Sequence, residues 1–359
     1  MKTAKTLTEL AIELERQHEA KNDLLATSAA VKLEQGQRLV LTNGKAESFD
    51  LTELGHSQLA ERAGIPKRYY DDIRVNHPAL ADVSVNTLLP AKGDRHLIRT
   101  LDGKARAVLS PSFRCLDNAP FLKAILPPLA SGGFKIESCE VTDTRLYVKV
   151  TSPTLTAEFP ILARGGHSPV NEVVQAGFWF RNSEVGHSRL AGGLFFKVLR
   201  CTNGLMLTSE FGFARNHSGK AIEFNEAVEQ YFKHETRALD DQAYWAKLGD
   251  IVTGMIGSEG GFKSAVERFR LSSGQRIEGS PVAAVEQVAE VLQLNKPEKD
   301  GVLRHLIEGG ELSRWGMSNA LTRFSADVDD YDRASDFEAF GGRIIDLPQG
   351  QWEQIATAA

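Results

Sequence analysis

Arg95-His96-Leu97-Ile98-Arg99-Thr100-Leu101-Asp102-Gly103-Lys104-Ala105-Arg106-Ala107-Val108-Leu109-Ser110 is the stretch on which the fold turns. Asp102-Gly103 is a two-residue hairpin turn, and a turn of that length fixes register. Leu101 then faces Lys104, Arg99 faces Arg106, Leu97 faces Val108 and Arg95 faces Ser110. Side chains alternate along a strand, so Arg95, Arg99, Lys104 and Arg106 are expected on one face. Directly opposed like charges destabilise a hairpin unless an acidic side chain or a bound phosphate neutralises them. With Lys92 and Arg114, residues 92–114 hold six basic groups against Asp94 and Asp102.

Working outward, the surrounding chain reads as strands. Arg38–Thr42 and Lys45–Leu51 form a hairpin turned by Asn43-Gly44. Leu97–Leu101, Ala105–Leu109, Phe134–Val141, Arg145–Thr151, Thr156–Leu162, Glu172–Arg181 and Leu190–Leu199 follow. A helix around Ala119–Leu126 interrupts them and Pro127-Pro128 stops it. Consecutive strands with short polar turns imply an antiparallel sheet, not βαβ units. Leu7, Leu10 and Leu14 mark an N-terminal helix. After Gly219 long amphipathic stretches take over: 221–256, 262–271, 281–294, 301–307 and 311–327. The fold class is α+β, a mainly antiparallel β-sheet with flanking helices followed by an all-helical C-terminal region. Its parts are a helical segment 1–36, an α+β core 37–219, a helical region 220–345 and a tail 346–359.

Composition agrees with a soluble globular chain, 42% hydrophobic and 25% charged. No apolar run reaches the length of a membrane span. Met1–Lys5 leads into no apolar signal segment, so a cytoplasmic location is expected. Cys115, Cys139 and Cys201 form no C-x-x-C pair and support neither a disulfide framework nor a zinc knuckle. The net charge of −5 divides unevenly: residues 1–220 carry 28 basic and 23 acidic groups, residues 221–359 carry 14 and 24. That suggests a basic working face and an acidic accessory part.

A second basic site is Lys67-Arg68-Tyr69-Tyr70, where cations beside aromatic rings suit single-stranded nucleic acid. The two rings point about 100° apart on a helix, so one of them belongs to the core. Ser57–Arg74 also reads as a helix-turn-helix, with Gly64 ending the first helix. Lys67, Arg68 and Asp71 then open a recognition helix for duplex DNA.

Other motifs fail on inspection. Gly212–Lys220 has the wrong spacing for a P-loop, and Ala221 replaces its Ser or Thr. Asp327, Asp329 and Glu338 match calcium-loop positions, but Asp332 stands where glycine is required. Gly257–Gly261 opens a helix bearing Lys263, Arg268 and Arg270, and Glu259 there would repel an anion. Cys201 after an apolar strand reads as buried filler. No cofactor or metal motif is present.

Three signatures resemble the phage/plasmid-like family catalogued as domain of unknown function 932 (DUF932): Arg181-Asn182-Ser183-Glu184-Val185-Gly186, Cys201-Thr202-Asn203-Gly204-Leu205 and Trp315-Gly316-Met317-Ser318-Asn319-Ala320-Leu321-Thr322. Residues 58–70 and 109–118 resemble further blocks of that family. The resemblance implies a relationship to mobile elements but no mechanism. Structurally, Asn182-Ser183 and Gly186 make a tight connection, Asn203-Gly204 a turn, and Trp315, Asn319 and Thr322 one helical face that locks against the sheet. The functional expectation is non-catalytic binding of single-stranded DNA, in outline like phage single-strand annealing proteins, with a possible homo-oligomer. Arg95, Arg99, Lys104, Arg106 and Arg114 would hold phosphates and Tyr69 or Tyr70 a base. The alternatives are an enzyme assembled from His167, His187 and Asp117, or a factor that binds a host protein through acidic residues such as Asp327, Asp329 and Asp330.

Overall fold

The computed structural model describes residues 5–42, 44, 46–162, 169–200, 203–207, 213–215 and 234–359. Thr6 and Glu9 close a capping box at the start of α1 (Leu7–Ala20), whose buried stripe is Leu10 and Leu14. The helical segment expected to reach residue 36 stops there. β1 (Asn22–Thr27) and β2 (Val31–Glu34) follow, and in β2 buried Val31 and Leu33 alternate with exposed Lys32 and Glu34. Four residues of period two are too short a signal to stand out. β3 (Arg38–Leu41) and β4 (Glu47–Leu51) pair as the expected hairpin, with Asn43 and Lys45 outside the described residues.

Then come α2 (Glu53–Ala63), α3 (Lys67–Asn76) and α4 (Pro78–Leu88), with Gly64 ending α2 at φ 73°. The hairpin β5 (Arg95–Leu101) and β6 (Lys104–Leu109) completes a sheet of order β1-β5-β6-β4-β3-β2. All its pairs are antiparallel except β4–β6. Helices α2–α4 cover one face, burying Leu59, Ala60, Tyr70 and Val85 against Val31, Leu33 and Ile98. Asn86 of α4 both donates to and accepts from the backbone of Leu33, closing the edge strand β2.

α5 (Asn118–Ser131) runs through Pro127-Pro128 instead of stopping before them. Leu122, Ile125 and Leu129 stay buried on both sides of the prolines, and that continuous apolar stripe outweighs the missing N–H donors. The helix ends one turn later, where Phe134 N bonds Leu129 O and Gly133 takes φ 71°.

The second sheet comprises β7 (Lys135–Val141), β8 (Leu146–Leu162), β9 (Pro169–Asn182), β10 (Leu190–Val198), β11 (Asn203–Met206) and β12 (Phe213–Arg215). Its order is β11-β10-β9-β8-β7, with β12 also on β10. The two strands read at 145–151 and 156–162 are one strand whose pairing shifts between Thr151 and Thr156. Asn203-Gly204 does not turn: it opens β11 opposite Val198 and Lys197. Glycine is needed because the Phe195 ring covers it, and a Cβ would meet Phe195 Cε2 at 2.7 Å.

The remaining helices are α6 (His234–Ile256), α7 (Glu259–Gly274), α8 (Pro281–Leu292), α9 (Lys296–Gly309), α10 (Arg314–Phe324), α11 (Tyr331–Asp346) and α12 (Gln349–Ala356). Residues 221–233 of the first expected stretch lie outside the described residues. The expected tail contains α12, anchored by buried Trp352 and Ile355. α1 and α5–α7 pack on one face of the second sheet around Val148, Phe178, Phe196 and Phe269. α8–α12 share a separate cluster, including Val288, Leu321, Phe337 and Trp352. The whole is α+β with a helical C-terminal region. Among the described residues no helix is long and apolar enough to cross a membrane.

Candidate nucleic-acid interface

The β5–β6 hairpin begins as the turn dictates, with Leu101 opposite Lys104 and Thr100 opposite Ala105. Arg99 then pairs with Ala107, so Arg106 is the extra residue of a β-bulge. The two arginines are not opposed, and neither is available to a phosphate. Arg99, 0% exposed, donates to Asp23 at 2.8 Å, to Asp117 at 2.8 Å and to the Glu184 carbonyl at 2.8 Å. Arg106 is buried and donates to Glu184 Oε2 at 2.9 Å. Acidic side chains of the fold therefore supply the neutralisation. Arg114 is also taken, held by Asp240 and Asp241 and lying 5.5 Å over the Tyr244 ring. Of the expected basic face, Arg95 and Lys104 remain exposed, at opposite ends of the hairpin.

The first signature is the joint between the two sheets. Glu184 reaches Arg106 of the first sheet and, through Oε1, the Asn118 N–H at 2.8 Å. Asn182 donates to Leu116 O and Asn118 Oδ1, Ser183 to Thr144 O, and Gln58 of α2 to Val185 O. Gly186 has φ 73°, and a Cβ there would meet Leu109 Cδ2 at 2.8 Å. The second and third signatures meet each other: Asn203 of β11 donates to Thr322 and to Asn319 Oδ1 of α10. Trp315 is fully buried against Phe159 and Phe269. The described parts of these motifs hold the fold together; Cys201 and Thr202 lie outside the described residues.

Beside the joint an open cleft of about 510 Å³ is lined by α2 residues Gln58, Glu61 and Arg62, by 109–113 and by Gly186–Arg189. Arg62 and Arg189 make no ion pair among the described residues, and Ser110 and Ser112 share a hydroxyl contact of 2.8 Å. The half-buried ring of Phe113 and His187 complete the lining, with Glu61 the one carboxylate among the described residues there. Burial and Arg145 lower the pKa of His187, which favours the neutral imidazole. Lys92 Nζ lies over Gly64 at the end of α2, 3.4 Å from where a Cβ would stand.

On α3 the two tyrosines separate as helical geometry requires. Tyr69 is 50% exposed, whereas Tyr70 is buried and shares a 2.8 Å hydrogen bond with His56 Nδ1. Arg68 is exposed, and Lys67 is paired with Asp71 one turn on. The helix-turn-helix reading of Ser57–Arg74 meets a pair of helices bound to the first sheet through Leu59, Ala63, Tyr70 and Ile73.

Of the residues named for an enzyme, the structure describes Asp117 and His187. Burial raises the Asp117 carboxyl, but Arg99 and Lys21 outweigh it and hold the pKa below its usual value. His187 is influenced by Arg145, Asp332, Asp336 and Arg181, not by Asp117, and His167 and the P-loop-like stretch 212–220 lie outside the described residues. Burial pushes the Cys115 thiol up to about 12 and Cys139 up to about 11, so neither is a thiolate nucleophile at neutral pH. Asp327 holds Arg304 and His305, Asp330 caps α11 by accepting from Arg333 N, and Glu338 pairs with buried Lys149.

One cluster was invisible in the sequence. Glu172 of β9 and Glu311 before α10 are both buried and close enough to repel each other. Burial pushes Glu311 up to about 7, with Glu172 adding and Ser313, Arg276 and Arg200 opposing. They are 139 positions apart (311 minus 172), and neither stands in a motif.

No family model, curated protein or solved structure matches the chain at a significant level. The three signatures thus carry a resemblance that these comparisons neither support nor contradict.

Proposed function

We propose that this chain binds single-stranded DNA without catalysing a reaction, in a recombination or replication role of a phage or plasmid-type element. The observation that carries the reading is the cleft beside the sheet joint. Two arginines without carboxylate partners among the described residues, Arg62 and Arg189, line it together with hydroxyls and the Phe113 ring. Cations for phosphates beside aromatic rings for bases are the combination that single strands require. Exposed Arg68 and Tyr69 stand on α3, and Lys92 reaches over Gly64 at the end of α2. The buried arginines Arg99 and Arg106 take no part.

The test is anisotropy of a labelled oligonucleotide, single-stranded and duplex, across a salt series, with Arg62→Ala/Lys92→Ala beside the wild type. Preferential single-strand binding is expected, with the log–log salt slope flattened by about 1.4 in the double variant, about 0.7 for each phosphate no longer neutralised. Tight duplex binding abolished by Arg68→Ala transfers the function to α3 in a major groove. Absence of binding at low salt overturns the reading and leaves a protein partner.

A further inference from the structure

Arg181, at the end of β9, sits where positive charges do not cancel. Its guanidinium lies 5.7 Å over the Trp179 ring, it has no carboxylate partner among the described residues, and its buried Nε has no hydrogen-bond partner. Arg145 donates to Tyr147 Oη at 3.0 Å and to Asp336 at 3.4 Å, and its Nε is also without a partner. The Ser188 hydroxyl is a third buried polar group with nothing to bond among the described residues.

Two carboxylates lie nearby, and both have other work. Asp332 accepts from the hydroxyls of Thr142 and Thr144, and Asp336 is shared between Arg145 and Arg333. Burial and Arg145 pull the pKa of Arg181 down, with Arg189 adding and Tyr147 and Asp336 only partly opposing. A half-buried guanidinium without an anion is costly, and its planar fork of donors matches a tetrahedral oxyanion. Arg181 pairs with Ala191, two residues beyond Arg189, and Ser188 and Arg189 line the cleft, so an anion there has a way in.

We infer that Arg181, Ser188 and Arg189 form a phosphate subsite at the rim of the cleft, an inference that deepens the single-strand reading and rests on it for the source of the phosphate. The guanidinium groups supply charge and paired donors, and the Ser188 hydroxyl supplies a third donor. The shared chemistry is a phosphate oxyanion, from a strand or free in solution.

The experiment is titration calorimetry of the full chain with inorganic phosphate at constant ionic strength, and with 5′-phosphorylated and 5′-hydroxyl single strands. Phosphate binding by the wild type is expected, with an affinity loss of about tenfold in Arg189→Ala, an exposed position where folding is not at stake. Arg181→Lys keeps the charge but loses the fork, and a loss of similar size is expected. Phosphate bound equally by wild type and both variants, or not bound at all, overturns the subsite. If phosphate binds in an Arg189-dependent way while no strand binds, the subsite stands and the single-strand reading falls. If strands bind Arg189→Ala with full affinity and phosphate does not bind the wild type, the reading stands and the subsite falls.

Discussion

Arg106 and Glu184, 78 positions apart, meet at 2.9 Å across the joint between the two sheets. Their meeting depends on the bulge in β6, which frees Arg106 from the pairing that an unbroken hairpin imposes. Glu184 also accepts from Asn118 N and lends its carbonyl to Arg99. One loop residue thus ties β5, β6 and α5 to the end of β9.

Removing that carboxylate leaves a buried guanidinium unpaired. Glu184→Ala is expected to cost about 3–5 kcal/mol, read as a lowered urea midpoint. The double variant Arg106→Met/Glu184→Leu should recover most of the loss. It cannot recover all of it, since the Asn118 N–H stays without an acceptor. A single variant as stable as the wild type would mean that the joint contributes no stability.

The hairpin shows how far the sequence reaches. Asp102-Gly103 correctly sets the first two pairs, because a two-residue turn is a local device. The bulge at Arg106 is not local: it answers to Glu184, which chain order does not place nearby. The same holds for Arg99, whose acids come from β1 and from the turn into α5. A run of arginines reads as a basic surface until its partners are located, and distant carboxylates leave no periodic trace. Gly64 and the two rings of Tyr69 and Tyr70 were legible, since helical geometry alone decides them. α12 carried a usable signal in Trp352 and Ile355, three positions apart on one face. The cleft, built from α2, the end of β6 and the loop after β9, had no sequence signal at all.

Asn203 offers a second test of the signatures as structural parts. Its amide joins β11 to Thr322 and Asn319 on α10. Asn203→Leu removes the donor to both side chains while Thr322 keeps its bonds to Ser318 O and Asn319 O, and should cost about 1 kcal/mol by urea denaturation, with oligonucleotide affinity unchanged. Weakened affinity at full stability would assign this residue to a binding site instead.

Stability should fall between mildly acidic and neutral pH, and Glu311 gives the reason. Its pKa is about 7 in the folded chain against 4.5 as the ordinary value. Between those values the folded state keeps a proton that the unfolded state has released. The contribution is therefore complete below pH 4.5 and is lost as pH rises through 7. It amounts to on the order of 3 kcal/mol. Glu172, raised by burial, has the same sign, whereas Asp117 is held low and matters only in stronger acid. Melting temperature measured from pH 5 to 8 should decline for the wild type and flatten for Glu311→Gln, which is expected to be the more stable at pH 8. Parallel profiles would show that Glu311 is ionised throughout.

Tyr69 and Tyr70 separate binding from folding within one dipeptide. Tyr70→Phe deprives buried His56 Nδ1 of its partner, so a loss of about 1–3 kcal/mol in stability is expected with no change in strand affinity. Tyr69→Ala removes a half-exposed ring and should leave stability within about 0.5 kcal/mol. If that ring stacks on a base, the same change weakens single-strand binding by about 1–3 kcal/mol, visible in the anisotropy titration. Duplex affinity should change less, because paired bases are not free to stack on a side chain. Equal losses on both substrates would make Tyr69 part of a backbone-contacting surface, and no loss on either would confine the interface to the cleft.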